Sequence, residues 1–211
     1  MADLAEAKLT SANLTRARLT NATLTKASVS QADPSQADLC FVSLDGGDLR
    51  GAHLAGTDCT GADLQRANLT GADLTGARLT GARVAGAYFA AARLVKADPG
   101  WADLAGADLA GATLAEANLE WARLADADLT GADLTRATLA GASLVGALVV
   151  ETRLELGHVV EADLSGASLS GADMTGAKLV RALLVGANLH QTRLVGADLT
   201  GADLTGAVGL A

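Results

Sequence analysis

Histidine, cysteine and aspartate are the residue types in this 211-residue chain that could bind a metal or transfer protons. The histidines are His53, His158 and His190, and the cysteines are Cys40 and Cys59. A metal site needs several such ligands at close spacing, for example two histidines one helical turn apart. These five residues do not have that spacing. The sequence therefore predicts no metal site and no cofactor.

Aspartates recur at intervals of five residues, as in Asp103 and Asp108. Two carboxylates can act as general acid and base where a pocket shifts the pKa of one of them. The repeat of five residues in this chain predicts a convex rod, and a convex surface offers no such pocket. We therefore predict that the protein is not an enzyme and has no catalytic residues.

The element that positions these side chains is a repeat of five residues. From Gly61 to Gly81 the sequence reads GADLQRANLTGADLTGARLTG, with leucine at every fifth position and alanine two residues earlier. The unit runs from Ala2 to Ala207 without an insertion or deletion. A period of five matches neither an α-helix nor a β-strand. One short strand and one corner per unit, wound into a solenoid, would bury every leucine.

The fifth-position residue is the centre of its unit, and leucine occupies 32 of the 41 centres. In an extended segment the centre and the alanine two residues before it point inward, and the residue between them points outward. Glycine, often two residues after a centre, suits a corner because it tolerates positive φ. Pro34 and Pro99 are centres without an N–H donor and should interrupt the ladder locally. The predicted structural core includes Leu64, Leu69, Leu74, Leu79 and Phe89.

The outward residues predict how many units form one coil. Stacked neighbours lie about 4.8 Å apart, a distance at which opposite charges stabilise and like charges destabilise. A coil of 20 residues stacks 11 pairs of opposite charge and 2 of like charge, whereas coils of 15 and 25 residues give 7 against 5 and 7 against 8. We therefore predict four units per coil, about ten coils at that length, and a single domain over residues 2–208.

The tandem A-[D/N]-L-x-x units, such as Ala62-Asp63-Leu64 and Ala67-Asn68-Leu69, resemble the pentapeptide-repeat family over essentially the whole chain. The resemblance implies an all-β fold, a right-handed quadrilateral parallel β-helix. It also implies a protein-binding role. Some members are partial mimics of duplex DNA that bind DNA gyrase or other type II topoisomerases, and they inhibit the enzyme or protect it from quinolones and other poisons.

Composition restricts the other classes of partner. No apolar run approaches the roughly 20 residues that span a membrane, and no signal segment opens the chain, so we expect a cytoplasmic protein without a membrane partner. The net charge of −8 argues against direct binding to nucleic acid. Open solenoid ends expose unpaired backbone groups, so an uncapped end is one predicted route to a homodimer.

Acidity gives the first functional hypothesis, binding to gyrase through a partial likeness to DNA. Duplex DNA would carry about thirty charges over a rod of roughly 50 Å, so any mimicry must use a local acidic zone. The candidate acidic binding face is a mid-rod group with Arg123 as its only base. Its members are Asp98, Asp103, Asp108, Asp126, Asp128 and Asp133. Solubility is the alternative role of this charge.

Apolar outward residues give the second hypothesis, a scaffold or regulatory interaction module. Trp101 and Trp121 lie 20 residues apart and should stack on adjacent coils; Phe41 shares their corner, and Val160 and Val180 lie further along that side. Exposed tryptophans are enriched at binding hot spots. These five residues form the candidate apolar interface, for another protein or for a second copy of the chain.

Overall fold

The computed structural model describes residues 2–210, and its repeating contact is a parallel β-bridge between residues 20 positions apart. Asp63 bridges Arg83, and Arg83 bridges Asp103. The bridging residues are the outward residues that precede the centres. The 20-residue stacking predicted from the charges is therefore the spacing of the bridges, and we call each 20-residue step a coil.

Each pentapeptide contributes one bridging residue and one turn, rather than a longer strand. Residues 2–210 contain neither a helix nor a strand of more than one bridging residue. In that range no helix meets the length and hydropathy that a membrane crossing requires. The four bridging residues of each coil belong to four separate ladders. The arrangement is an all-β solenoid.

Turns join successive bridging residues. The Ala67 N–H donates to the carbonyl oxygen of Leu64 at 3.1 Å, and this contact recurs from unit to unit. The residue two positions after a centre has positive φ at all 41 such corners, where glycine occupies 20 positions and other residues occupy 21. Positive φ at the third residue is typical of type II turns. The glycine corners are confirmed, but half of the corners hold this conformation with a side chain present.

The core is a column of alternating large and small side chains. Leu64, Leu69, Leu74 and Leu79 are buried, and Phe89 is the largest buried side chain. The alanines two residues before the centres are buried beside them. This alternation fills a narrow interior without voids.

Two buried threonines replace alanine without leaving a polar atom unpaired. The Thr57 hydroxyl donates to the Leu54 carbonyl oxygen at 2.7 Å, and the Thr152 hydroxyl donates to the Leu129 carbonyl oxygen at 2.7 Å. A buried hydroxyl that finds a backbone acceptor in this way avoids most of the cost of its desolvation.

The two prolines interrupt the ladders where the sequence predicts. A centre normally donates its N–H to the bridging residue of the next coil, as Leu64 does to Arg83 at 2.7 Å. Pro34 and Pro99 have no such N–H. Bridges are missing between residues 33 and 53 and between residues 98 and 118. Next to the second gap the Asn118 amide donates to Asp98 at 3.0 Å and connects the coils through side chains.

The aspartate or asparagine before a centre caps a backbone N–H. Asp63 Oδ1 accepts the N–H of Gln65 at 3.2 Å, and Asp73 Oδ1 accepts the N–H of Thr75 at 3.0 Å. All 20 outward Asp and Asn residues make this contact. Within residues 2–210 that N–H has no backbone acceptor. The A-[D/N]-L preference therefore has a local structural cause, as in other Asx turns.

Candidate functional site

Corner residues 20 positions apart form a row along the solenoid, and three aromatic side chains project from one such row. These are Phe41, Trp101 and Trp121, and we call them the aromatic corner. Their exposed fractions are 60%, 65% and 48%, although large aromatic side chains are usually mostly buried. Their φ angles are 54°, 61° and 58°, values that bulky residues rarely adopt. The turns therefore hold these rings outside the core, in a conformation that glycine would adopt with less strain.

Each of these rings lies over the corner residue 20 positions later. The rings of Trp101 and Trp121 stack with centroids 5.5 Å apart and planes 20° apart. Trp121 Cε3 lies 2.5 Å from the point where a Cβ on Gly141 would stand, and Phe41 Cδ1 lies 2.5 Å from the same point at Gly61. Gly61 and Gly141 therefore accommodate the rings because they have no side chain.

Ion pairs flank the aromatic corner on both sides. Arg78 contacts Asp58 at 3.1 Å in the ladder before the corner, and Arg83 contacts Asp63 at 3.2 Å in the ladder after it. In these ladders Arg78, Arg83 and Arg123 each pair with the aspartate one coil earlier, in agreement with the predicted stacking of opposite charges. A third ladder, which does not adjoin the aromatic corner, contains the equivalent pairs Arg93–Asp73, Arg153–Asp133 and Arg193–Asp173. These exposed pairs each contribute about 0–1 kcal/mol to stability. Beside the two tryptophans Asp103 is paired with Arg123, whereas Asp98 and Glu120 form no ion pair within residues 2–210.

Val160 and Val180 lie beside the same row of corners. Each valine directly precedes a corner residue, Glu161 or Arg181, whose side chains form an ion pair with each other. Both valines are half-buried. The apolar surface therefore continues past Trp121 only as a partly covered strip.

The six predicted acidic residues do not form one face. Asp108 bridges Asp128, and Asp126 lies at the corner that precedes Asp128. Asp103 belongs to the paired ladder of Arg83. Asp103 therefore lies in one ladder, whereas Asp108 and Asp128, with the adjoining corner residue Asp126, lie in another.

The remaining two acidic residues lie in the other two ladders. Asp98 bridges Arg78, and Asp133 pairs with Arg153 at 3.2 Å. The six residues were grouped because they are close in sequence. Successive pentapeptides contribute to successive ladders, so closeness in sequence does not place residues on the same face. The predicted acidic face is therefore corrected to the group Asp108, Asp126 and Asp128.

This smaller acidic group lies on a part of the surface that has no lysine or arginine, which the sequence reasoning missed. We call it the base-free face: the ladder of Tyr88, Asp108, Asp128 and Leu148 with its adjoining turns. It comprises residues 85–91, 105–111, 125–131, 145–151, 165–171, 185–191 and 205–210, without a Lys or Arg. Tyr88 is 51% exposed and Leu148 45% exposed. Reading every twentieth residue would have revealed this face.

The two thiols are poor nucleophiles. Burial and the neighbouring Asp58 and Asp38 raise the pKa of Cys40 to about 12, and burial raises the pKa of Cys59 to about 11. Reactive cysteines have a lowered pKa, because the thiolate is the attacking species. No group of three or more residues that could hold a metal ion occurs between residues 2 and 210.

Comparison with protein families gives one consistent match. A family model for pentapeptide repeats matches eight copies, over residues 2–33, 35–71, 85–120, 117–155, 158–184 and 182–208. A search of curated protein sequences finds no significant match.

Solved structures with the same repeat are similar to this chain. HetL, a pentapeptide repeat protein involved in heterocyst differentiation regulation in the cyanobacterium Nostoc sp. strain PCC 7120, is 37% identical, with a TM-score of 0.79. The match covers 95% of this chain and 90% of HetL. A trypsin-treated form of QnrB1, a plasmid-mediated fluoroquinolone resistance protein, is 23% identical with a TM-score of 0.64, covering 79% of this chain and 88% of QnrB1. The likeness to QnrB1 extends to the fold alone.

Proposed function

The chain belongs to the pentapeptide repeat family, and we propose that it is a non-catalytic rod that acts by binding protein in a regulatory role. The aromatic corner carries this proposal. Two stacked tryptophans and a phenylalanine remain largely exposed on the described surface. Tryptophan is the residue type most enriched at interface hot spots. The similarity to HetL, whose known role is regulatory, supports the same class of function.

The surroundings of the aromatic corner suit a protein interface. The rings of Trp101 and Trp121 stack on each other, so part of their side-chain freedom is already lost before binding. The Arg123–Asp103 pair and the side chains of Asp98 and Glu120 give the two tryptophans a polar rim. An apolar anchor inside a polar rim is the arrangement found in well-packed interfaces.

Protein capture with matched variants tests this proposal. We expect Trp101→Ser and Trp121→Ser to lower the amount of protein captured from a native lysate by at least about tenfold, as truncation of a hot-spot residue does. Tyr88→Ser is the control, because Tyr88 is an equally exposed aromatic residue on the base-free face. Capture that survives both tryptophan substitutions would contradict a role for the aromatic corner.

The base-free face favours a second candidate, a partial DNA mimic that binds DNA gyrase or another type II topoisomerase and inhibits it or protects it from quinolones and other poisons. Asp108, Asp126, Asp128 and Glu151 are its acidic residues, and no Arg or Lys of this face offsets them. A basic DNA-binding surface would be attracted to this face more than to the paired ladders. The charge density is well below that of duplex DNA, which has one charge per ~1.7 Å.

A supercoiling assay tests the second candidate. The protein should inhibit gyrase supercoiling or reduce quinolone-induced DNA cleavage at micromolar concentration. The double variant Asp108→Asn and Asp128→Asn removes two charges and keeps the Asx caps, so it should lose the effect. The matched double variant Asp63→Asn and Asp103→Asn in a paired ladder should retain it. Equal activity of the two double variants, or no effect of the native chain, would exclude mimicry by this face.

We also infer that the solenoid is a right-handed quadrilateral β-helix with four pentapeptides per coil and about ten coils over its length. The 20-residue spacing of the bridges supports the coil length. The handedness depends on the family resemblance. A crystal structure would test both, and a left-handed winding would contradict this inference.

A further inference from the structure

In the row of corners that carries the aromatic residues, some positions are covered by an aromatic ring and others are not. We call the uncovered positions vacancies. Corner positions follow at intervals of 20, and each ring of the aromatic corner lies over the next position. Phe41 thus covers position 61, Trp101 covers 121 and Trp121 covers 141. Residues 61, 81 and 141 are glycine, so no ring covers positions 81, 101 and 161. No atom comes within 4 Å of a Cβ built on Gly81.

We propose that a second copy of this chain fills these vacancies, docking antiparallel on the aromatic corner about a two-fold axis. This inference rests on the proposed function, because it takes the aromatic corner to be a protein contact surface and names its occupant. A two-fold interface uses the same patch on both copies, so the patch must be complementary to itself. The order of rings and vacancies meets that condition.

The register follows from counting along the row. In the antiparallel arrangement the partner's Trp121 covers position 81 and the partner's Trp101 covers position 101. The partner's Phe41 then covers position 161, beyond Trp121. Three rings of each copy enter three vacancies of the other, which gives one continuous column of six rings. The two vacancies between Phe41 and Trp101 lie within three coil steps, about 14 Å at ~4.8 Å per step.

Charge permits this contact although the chain carries a net charge of −8. Two acidic rods repel each other, but three Arg–Asp pairs beside the aromatic corner partly offset this repulsion, namely Arg78–Asp58, Arg83–Asp63 and Arg123–Asp103. Asp98 and Glu120 remain there as acidic residues without an ion pair within residues 2–210. The approach of a second copy at this corner therefore brings together surfaces on which part of the negative charge is paired. The base-free face belongs to another ladder and remains accessible in the dimer.

The contact area predicts a weak dimer. An aromatic side chain can bury roughly 150–250 Å², and six half-exposed rings would bury about 600 Å². The glycine corners and rims beneath them raise the total to about 1,000 Å², the lower limit of a specific interface. We therefore expect dissociation at low micromolar concentration and dimers at higher concentration.

Sedimentation velocity with a variant that fills one vacancy tests the proposal. A side chain at position 81 would lie over position 101, and Gly81→Arg should therefore weaken self-association at least tenfold while leaving all three aromatic residues in place. Gly76→Arg is the control, because Gly76 has similar φ and an equally open Cβ site in another row of corners. A native chain that stays monomeric to about 500 μM, or a dimer that Gly81→Arg does not weaken, would overturn the proposal.

The orientation of the copies is tested by a distance between spin labels. In the proposed register position 21 is level with the partner's position 201, nine coil steps from the partner's position 21. Labels on Asn21→Cys, in a Cys40→Ser background, should therefore be roughly 45 Å apart. The native Cys59 is buried and should not be labelled. A distance of about 20 Å would indicate a parallel pair and would exclude the two-fold arrangement.

These outcomes separate the inference from the proposed function. If the chain is monomeric but Trp101→Ser abolishes capture of a different protein, the proposed function stands and the two-fold dimer is wrong. If the tryptophan variants change neither capture nor self-association, both are wrong. Loss of self-association in Trp101→Ser and Gly81→Arg, together with the long label distance, supports both.

Discussion

The aromatic corner and the base-free face both present apolar side chains on the middle coils, but their surroundings differ. Trp101 lies beside a ladder in which aspartate and arginine alternate from Asp63 to Arg123, and the two ladders next to the aromatic corner contain three Arg–Asp ion pairs. Tyr88 and Leu148 lie in a ladder where Asp108 and Asp128 stack on each other without a base. The first surface is apolar beside charges that are partly paired, and the second is apolar beside an acidic group that has no arginine or lysine to pair with.

This difference shows that the ladder, rather than net charge, decides what an aspartate contributes to the surface. Asp103 and Asp108 occupy the same place in successive pentapeptides, and both cap a backbone N–H. Asp103 also accepts Arg123 at 3.4 Å, whereas Asp108 has Asp128 as its neighbour. Two identical local structures therefore present neutral and negative surfaces to a partner.

The largest expected difference between the two surfaces is in their tolerance of a corner side chain. Gly141→Ala places a methyl group where the Trp121 ring lies and should cost about 3 kcal/mol through overpacking and positive-φ strain. Gly106→Ala, at an open corner of the base-free face, should cost about 1 kcal/mol. Urea unfolding measures both. Equal losses of unfolding free energy in the two variants would mean that the position of the Trp121 ring does not depend on glycine at position 141.

At the base-free face, two substitutions of Asp128 should distinguish the contribution of its capping hydrogen bond to stability from that of its negative charge. Asp128→Ala removes the acceptor of the Thr130 N–H and should lower the free energy of unfolding by about 1 kcal/mol. Asp128→Asn keeps an acceptor and should leave stability nearly unchanged. Chemical denaturation tests this pair of variants. If Asn destabilised as much as Ala, the negative charge and not the hydrogen bond would be responsible.

Acid should weaken the paired ladders through their hydrogen-bonded carboxylates. The Thr175 hydroxyl lowers the pKa of Asp173 below its ordinary value of 3.8; the Thr175 N–H and Arg193 act in the same direction, and desolvation opposes them. Because the folded-state pKa is the lower one, the stabilisation is complete above pH 3.8 and is lost as the pH falls through the folded value. Denaturation below about pH 4 should therefore be less steep in Asp173→Asn. An unchanged slope would contradict this role of Asp173.

The smallest effect is expected from the ion pairs themselves. Arg123→Gln removes the partner of Asp103 and should cost about 0.5 kcal/mol or less, because the Arg123 side chain is 67% exposed. The same variant leaves the Asp103 carboxylate beside Trp101 without its arginine and should weaken self-association at the aromatic corner. Thermal unfolding and sedimentation together test this prediction. A large loss of stability would mean that the ladder holds the coils together.

The fold was predictable because one constraint repeats. A period of five with leucine at the centre requires turns at fixed intervals, and Leu64 and Leu74 have the burial that this predicts. Pro34 and Pro99 interrupt the ladder because the missing N–H is a property of the residue itself. Each of these features depends on chemistry that acts within one unit or between adjacent coils.

The candidate surfaces were less predictable because they depend on relations between distant residues. The capping role of Asp63 follows only when the N–H of Gln65 is known to have no backbone acceptor. The acidic grouping failed because Asp98 and Asp108 are near in sequence but lie in different ladders. The stacking of Trp101 on Trp121 was predicted from the sequence. The requirement for glycine at position 141 could not be predicted, because it depends on the direction in which the Trp121 ring points.

The constant spacing of the bridges also bears on how such a rod could change length during evolution. Loss or duplication of 20 consecutive residues, for example 61–80, would keep every remaining side chain in its own ladder and would shorten or extend the molecule by one rung. Loss of five residues would rotate everything downstream by a quarter turn and exchange the neighbours of every charge. We therefore expect natural length variants of this protein to differ by multiples of 20 residues.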